Sequence, residues 1–348
     1  MYAGIVYAPF DIRYAETETP RPRAGEVLVK VKYTGICGSD VPRVNGNACH
    51  FFPNILGHEF SGTIVEVGEN VTDRAVGQRV AGIPLVPCME CDDCRKGNYA
   101  LCRHYSFIGS RQAGSFAEYV ALPARNTFVL DEGVSLRQGA LFEPATVALH
   151  GLRCAKYLPG KTVAIIGAGT IGILTMELCK IFGARQVVMI NRSREKLPLC
   201  MDLGADAALS TLDEDFHEKV MALTGGRGYD YVFETAGSTD AMKLSFKLVA
   251  SCGQICLIGT PKKEITFSVS EWEQINRKEM HVTGSWMSYS APFPGDEWKE
   301  VAHFFSTGQL KLEDSMIQCV LPLSRIPEAF AMYEAGQVKG KILIDSEA

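Results

Sequence analysis

The chain has 348 residues, enough for two domains with substantial cores, and its 47% apolar and 22% charged residues are those of an ordinary globular protein. A net charge of −5, with no basic stripe or aromatic–basic interleaving, argues against nucleic acid as a partner. The longest charge-free apolar run, Thr162 to Met176, is too short and glycine-rich for a membrane span, no secretory signal is visible, and the twelve cysteines cluster as metal ligands do, so a cytoplasmic protein with no membrane partner is expected.

In chain order, Glu26 to Tyr33 alternates, with Val27, Val29 and Val31 on one face and Lys30 and Lys32 on the other, which predicts a half-exposed strand. Cys37-Gly38-Ser39-Asp40 follows it. Gly57-His58-Glu59 precedes short strands predicted over Phe60–Val67 and Gln78–Ile83, with turns around Gly57, Gly68-Glu69-Asn70 and Gly77. Strands of this length and spacing predict an antiparallel, barrel-like module rather than βαβ units.

Within that module Cys88, Cys91, Cys94 and Cys102 read C-x₂-C-x₂-C-x₇-C. Four thiolates this close can wrap one tetrahedral Zn²⁺ with no position left open, which makes a structural site. The loop over residues 88–102 is polar (Glu90, Asp92, Asp93, Arg95, Lys96) and has little apolar material of its own to fold around. Free thiols or an iron–sulfur cluster are the competing readings. Further on, Leu141-Phe142-Glu143-Pro144 stands before a helix predicted over Ala145–Tyr157, with Pro144 at its first position. Taken singly, Cys37, His58 and Glu143 carry little signal: a lone Cys or His packs more often than it ligates, and Glu143 alone could be a first-turn charge.

The centre of the chain speaks more plainly. Thr162-Val163-Ala164-Ile165-Ile166 predicts a buried strand, and Gly167-Ala168-Gly169-Thr170-Ile171-Gly172 follows as a full G-x-G-x-x-G. Ile171, Leu174, Leu178 and Ile181 recur at helical spacing, so the helix starts inside the loop at Thr170 and Ile171; Gly183 ends it, and Gln186 to Ile190 is a second strand. Such a helix start offers unpaired N–H groups and a positive dipole end to a dinucleotide pyrophosphate. Gly167 permits the turn, Gly169 removes a side chain from the phosphate path, and Gly172 lets helix and strand approach.

An NAD-binding unit usually ends its second strand with an acidic residue that accepts from the ribose hydroxyls. This chain has Asn191, then Arg192, Ser193 and Arg194. Without the carboxylate a 2′-phosphate is not repelled, and Arg192 and Arg194 supply guanidinium donors for one. NADP is therefore favoured over NAD. Beyond this point Asp230–Phe233 and Gln254–Ile258 continue as strands, Pro198 predicts a kink or late start in the helix over Glu195–Leu203, and Gly340–Ile344 predicts a terminal strand. Cys49, Cys154, Cys179, Cys200, Cys252, Cys256 and Cys319 lie outside the two metal constellations, and most are expected to be buried small hydrophobes.

Cys37-Gly38-Ser39-Asp40, Gly57-His58-Glu59, the four-cysteine loop, Glu143-Pro144 and Gly167–Gly172 occur in the order seen in zinc-dependent medium-chain dehydrogenases/reductases. The pattern resembles the sorbitol-dehydrogenase-like polyol branch over essentially the whole chain. That resemblance implies an α/β protein: a GroES-like, β-rich catalytic domain over residues 1–150 and 286–348, and a Rossmann doubly wound parallel sheet over 151–285, with the active site between them. It implies two zinc ions per chain. Cys37, His58 and Glu143 would ligate the catalytic one, with Glu59 beside it, either exchanging with Glu143 or reaching it through water. Ser39 would be the relay hydroxyl that takes the alcohol proton, although the histidine many members carry five residues after the cysteine is here Pro42. Family members are commonly homodimers or homotetramers, so a homo-oligomer is expected.

Three longer strings, Cys37–Arg43, Phe107-Ile108-Gly109-Ser110-Arg111 with Gly114–Tyr119, and Gly284–Gly295 with Glu297-Trp298, resemble the galactitol-phosphate dehydrogenases of that branch. They imply a polyol phosphate and its ketose phosphate as substrate pair, with Arg43 and Arg111 as candidate phosphate forks. An unphosphorylated polyol or secondary alcohol is the alternative within enzymes, and a non-catalytic dinucleotide-binding protein the alternative outside them.

Overall fold

A computed structural model describes residues 1–311 and 316–348. The chain divides into two compact units, one comprising Met1–Glu143, Tyr289–Gly308 and the C-terminal segment, the other Pro144–Ser288 with Gln309–Lys311. The breaks fall at Glu143/Pro144 and Ser288/Tyr289.

In the first unit, a seven-stranded sheet runs in the order Thr127–Val129, Arg79–Gly82, Glu59–Val67, Glu26–Gly35, Lys341–Asp345, Ile317–Pro322, and Tyr119–Pro123 pairs with the Glu26–Gly35 strand as well. Its pairings are antiparallel except that of Ile317–Pro322 with Lys341–Asp345. Val27, Val29 and Val31 are fully buried against Phe60, Ile64, Val80 and Leu122, while Lys30 and Lys32 stay partly exposed, as the alternation requires. Each such apolar side chain contributes about 1.5–3 kcal/mol of burial free energy. A second cluster gathers Ile36, Leu56, Phe116, Phe330, Ile342 and Ile344. Ile36 and Leu56 flank Cys37 and His58 in sequence, so the packing that builds this core also fixes those two residues.

The second unit is a six-stranded, all-parallel sheet in the order Ala207–Ser210, Gln186–Asn191, Thr162–Ile166, Tyr229–Glu234, Val249–Leu257, His281–Gly284. This is the doubly wound order, with its reversal on either side of Thr162–Ile166. The five residues of that central strand are all buried, which is why the stretch reads as an unbroken apolar run. No helix among the described residues is long and apolar enough to cross a membrane.

Two local expectations need correction, and a third is met. The helix expected at Ala145–Tyr157 spans Phe142–Cys154. Pro144 therefore lies within the first turn, where its missing N–H would have had no intrahelical partner, and it does not mark the start. At Pro198 the late start is realised: Arg194–Lys196 is a 3₁₀ turn and the α-helix begins at Leu197. Of the seven remaining cysteines only Cys179, Cys200 and Cys256 are buried; Cys49, Cys154 and Cys319 are half-buried, and Cys252 is exposed within the Val249–Leu257 strand at a left-handed φ of 57°. None of the twelve cysteines forms a disulfide.

Candidate metal centres and dinucleotide site

Cys37 follows the Glu26–Gly35 strand, and the Ile36 N–H donates to Ile342 O at 3.0 Å. The chain then turns so that the Cys37 N–H donates to Asp40 Oδ2 at 3.0 Å. Gly57, at φ +91°, delivers His58 at the start of the Glu59–Val67 strand. Ligand atoms of Cys37, His58 and Glu59 lie within 4.8 Å of one another. A thiolate, an imidazole and a carboxylate at that separation form an S, N, O donor set suited to zinc with an open position.

Two partners orient these donors. The His58 Nδ1 stands 3.4 Å from Asp40 Oδ1, which leaves Nε2 as the nitrogen that could ligate a metal. Lys341, buried in the terminal strand, donates to Glu59 Oε2 and, at 3.0 Å, to Ile36 O. A Cβ at Gly35 would collide with that Glu59–Lys341 pair, so the bare glycine is what admits it.

Glu143 is buried next to this group but is not one of the three that come within 4.8 Å. Burial pushes its carboxyl up to about 7; His58 and Lys341 oppose the rise, while Glu59 and Asp40 add to it. For His58, burial favours the neutral ring, yet the charges of Asp40 and Cys37 outweigh it and hold the pKa well above the ordinary value. Such a pocket concentrates negative potential around the ring, a fit for a divalent cation.

The four-cysteine loop is compact. Sγ atoms of Cys88 and Cys102 are 3.5 Å apart, and the Cys88–Cys94 and Cys91–Cys102 pairs 3.9 Å. Tetrahedral zinc with bonds of ~2.3 Å implies sulfur–sulfur separations of roughly 3.8 Å. The Cys94 thiol is pushed up to about 12 by burial and by its neighbouring thiols. Cys91 is brought down to about 6, chiefly by a backbone N–H of Cys94. Thiols that oppose one another's ionisation are what a shared cation would reconcile.

In the second unit the glycine loop joins strand to helix as expected, with Gly169 capping the helix Thr170–Ile181 and no side chain bonded to its first N–H groups. A Cβ at Gly172 would stand 1.8 Å from Gly167 O, whereas one at Gly169 would meet nothing within 4 Å. The loop is thus closed toward the protein at Gly172 and open at Gly169. Asn191 Oδ1 accepts from the Ala168 N–H at 3.2 Å and its Nδ2 donates to Ser193 O at 2.9 Å. A cavity of about 670 Å³ adjoins it, lined among others by Gly167, Asn191, Arg192, Ala236, Lys243 and Lys247. Arg194 does not line this cavity; it pairs with Asp213 at 2.6 Å.

Back in the first unit, Arg43 Nη1 donates to both Ser39 O and Ser39 Oγ at 3.0 Å and stands 3.6 Å from Asp40. The Ser39 N–H is itself 3.5 Å from Cys37 Sγ. Arg111 donates to the Tyr105 hydroxyl at 3.2 Å, with its guanidinium 4.1 Å from the ring centre. Sequence reasoning missed Lys341, Lys243 and Lys247, whose positions in strand or helix carry no local motif, and gave Asp40 no role although it lies within the quoted Cys37 motif.

Models of the alcohol dehydrogenase GroES-like domain and of the zinc-binding dehydrogenase domain match residues 23–132 and 170–307. The chain is 39% identical over 303 residues to galactitol 1-phosphate 5-dehydrogenase of Escherichia coli K12, covering 87% of this chain and 88% of that one. The crystal structure of galactitol-1-phosphate dehydrogenase from Escherichia coli superposes with a TM-score of 0.95 at 36% identity, covering 99% and 100% of the two chains. A zinc-binding dehydrogenase of Sinorhizobium meliloti 1021, solved bound to NADP, gives 0.88 at 30% identity over 99% of this chain and 98% of that one. With the S, N, O donor set, the four-cysteine loop and the glycine turn on one chain, these likenesses make it a member of the zinc-dependent medium-chain dehydrogenase/reductase family in its polyol-dehydrogenase branch, an NAD(P)-dependent oxidoreductase acting on CH–OH.

Proposed function

We propose that the protein interconverts the secondary alcohol of a polyol phosphate resembling galactitol 1-phosphate with the corresponding ketose phosphate, using NADP(H). The observation that carries the phosphate part is Arg43, whose guanidinium is bonded to Ser39 two residues from Cys37, so that a cationic fork borders the donor set. The likeness to an enzyme named for galactitol 1-phosphate points the same way.

In this reading Cys37, His58 and Glu59 hold one zinc, Glu143 stands beside it, and Cys88, Cys91, Cys94 and Cys102 hold a second. When bound, the first zinc supplies a Lewis acid that lowers the pKa of the substrate hydroxyl, and the nicotinamide accepts the hydride. The chain does the rest. Asp40 fixes the face that His58 presents, and Lys341 anchors one oxygen of Glu59. Ser39 Oγ accepts from Arg43, which leaves the Ser39 O–H free to pass on the alcohol proton. With Pro42 in the outer relay position, the proton continues through water.

For the cofactor, Asn191 has no charge to repel a 2′-phosphate, and both polar ends of its amide are engaged by backbone. We assign the 2′-phosphate to Arg192, with Lys243 and Lys247 across the same cavity and Arg194 held by Asp213. An unphosphorylated polyol is the second reading, favoured by the partners Arg43 and Arg111 already have in Ser39, Asp40 and Tyr105. A steady-state panel of galactitol 1-phosphate, arabitol phosphates and the free polyols with both cofactors tests it. The phosphorylated polyol with NADP should give the highest kcat/KM; free polyols at equal or better efficiency would overturn the substrate, and tenfold better efficiency with NAD the cofactor.

A further inference from the structure

We propose that His50 joins Arg43 and Arg111 in a three-pronged seat for the phosphate of a phosphomonoester, and that His50 is a specificity-determining residue of this enzyme. The inference rests on the phosphorylated-substrate reading above.

Arg43 and His50 are seven residues apart and Arg111 comes from a segment some sixty residues further on, and hydrogen bonds tie the segments together. Arg43 belongs to the one-turn helix Val41–Val44. His50 lies in the loop that follows, and the Ala48 N–H donates to Pro42 O at 3.1 Å, holding the start of that loop against the helix. At the loop's other end the buried Asn54 donates its Nδ2 to Ser110 O at 3.0 Å, which fastens the loop to the turn carrying Arg111. The Arg111 N–H closes that turn on Phe107 O at 2.9 Å. His50 thus sits on a short span pinned to the Arg43 segment at one end and to the Arg111 segment at the other.

The electrostatics agree with the geometry. The His50 pKa is lowered by partial burial first, then by Arg111 and by Arg43, which are the charged groups that act on it. Arg43 is directed at Ser39 and Asp40 and Arg111 lies over Tyr105, yet both positive charges bear on the His50 ring, and an anion entering among the three would offset that repulsion. Asp40, the carboxylate beside Arg43, is fully buried and faces His58. His50 is exposed and reachable by a solute. A phosphomonoester presents three acceptor oxygens and up to two negative charges, which match two guanidinium forks and one imidazole N–H. As the dianion binds, the ring takes a proton from solvent and donates a charge-assisted bond.

The experiment compares kcat/KM for galactitol 1-phosphate with that for galactitol in the wild type, His50→Gln and His50→Lys, and measures inorganic phosphate binding to each by calorimetry. His50→Gln should lower the phosphorylated-to-free ratio about tenfold, through KM rather than kcat, and weaken phosphate binding by a similar factor. His50→Lys should recover most of both. If the wild type favours the phosphorylated polyol and His50→Gln leaves the ratio and phosphate affinity within twofold, the role of His50 is wrong and the substrate reading stands. A loss equal for both substrates, with the ratio kept, shows a structural role and also overturns the proposal. A wild type with no preference for the phosphorylated polyol removes the substrate reading, and this inference with it.

Discussion

Two glycines four residues or fewer from one another in sequence, Gly169 and Gly172, should respond to the same substitution in opposite ways. In Gly172→Ala the new methyl would stand 1.8 Å from Gly167 O and 2.9 Å from Thr235 Oγ1. Relief needs more than an ångström of movement in a loop that is already fastened, because the Gly167 N–H donates to Ile190 O at 2.8 Å and Thr235 Oγ1 donates to Gly167 O at 3.2 Å. Overpacking of this kind costs about 1–3 kcal/mol, occasionally more. For a unit of this size a loss of 3 kcal/mol lowers Tm by roughly 6–12 °C. Gly169 has φ −82° and ψ −178°, extended backbone open to any residue, and its new methyl meets nothing. Gly169→Ala should therefore raise stability by about 0.4–1 kcal/mol through the unfolded chain. The same methyl would project into the path of the pyrophosphate, and a clash of about 1–3 kcal/mol there weakens NADPH roughly 5- to 150-fold. Thermal unfolding without cofactor and NADPH titration by protein fluorescence separate the two effects. A Gly169→Ala protein that melts as low as Gly172→Ala, or that binds NADPH as the wild type does, would refute this account of the loop.

Other consequences can be checked more briefly. Cys94→Ser should reduce bound zinc, measured by atomic emission, from about two ions per chain to about one, because a closed four-thiolate site tolerates no missing ligand; two retained ions would contradict it. Lys341→Met removes the cation from a fully buried carboxylate and should cost about 3–5 kcal/mol in denaturant unfolding of the metal-free protein; a loss under 1 kcal/mol would show that Glu59 finds another partner. Asn191→Asp should move the NADPH/NADH ratio of kcat/KM at least tenfold toward NADH, since a carboxylate repels the 2′-phosphate while still accepting from the Ala168 N–H. Glu143 has its pKa raised to about 7, chiefly by burial, so its favourable contribution is full below the ordinary carboxylate range and lost as pH rises through 7. The chelated protein should lose stability between about pH 4.5 and 7, and Glu143→Gln should flatten that slope.

What could be read from sequence was whatever local chemistry encodes. The Thr162–Ile166 strand announces itself because burial on both faces requires an unbroken apolar run, and the four cysteines because one ion needs its ligands within a short loop. Cys37 and His58 were reachable as a pair only through family likeness, which named Glu143 as their third ligand and set Glu59 beside it, because strand pairing, not proximity in the chain, brings Cys37 to His58. Lys341 lies 282 residues from Glu59 and resembles any lysine at the edge of a terminal strand. Its burial depends on a neighbour, Gly35, that no periodicity connects to it. The helix at Phe142–Cys154 was misplaced for a different reason: proline is tolerated anywhere in the first turn, so Pro144 bounds the start without fixing it. Cysteine burial failed as a generalisation because residues such as Cys252, at a left-handed φ of 57° within its strand, answer to local backbone geometry rather than to the hydrophobicity around them.

The charges around Cys37 and His58 give a physical reason for both long-range partners. Asp40 and Lys341 carry opposite charges and each serves one donor, Asp40 bordering His58 and Lys341 holding Glu59. With Arg43 also 3.6 Å from Asp40, orienting the donors adds no net negative charge to a buried pocket. What is left is the Cys37 thiolate and the Glu59 carboxylate, two negative charges, the complement of one divalent cation with a neutral imidazole as third donor. Glu143 would make that total three, and burial answers by raising its pKa to about 7, so that at neutral pH it can carry either a proton or a charge. A carboxyl so balanced suits a position beside the ion better than a permanent place on it. The geometry agrees, because the compact set contains Glu59 in place of Glu143. Of the two glutamates named from family likeness, Glu59 is the one whose carboxylate lies within 4.8 Å of the Cys37 and His58 ligand atoms.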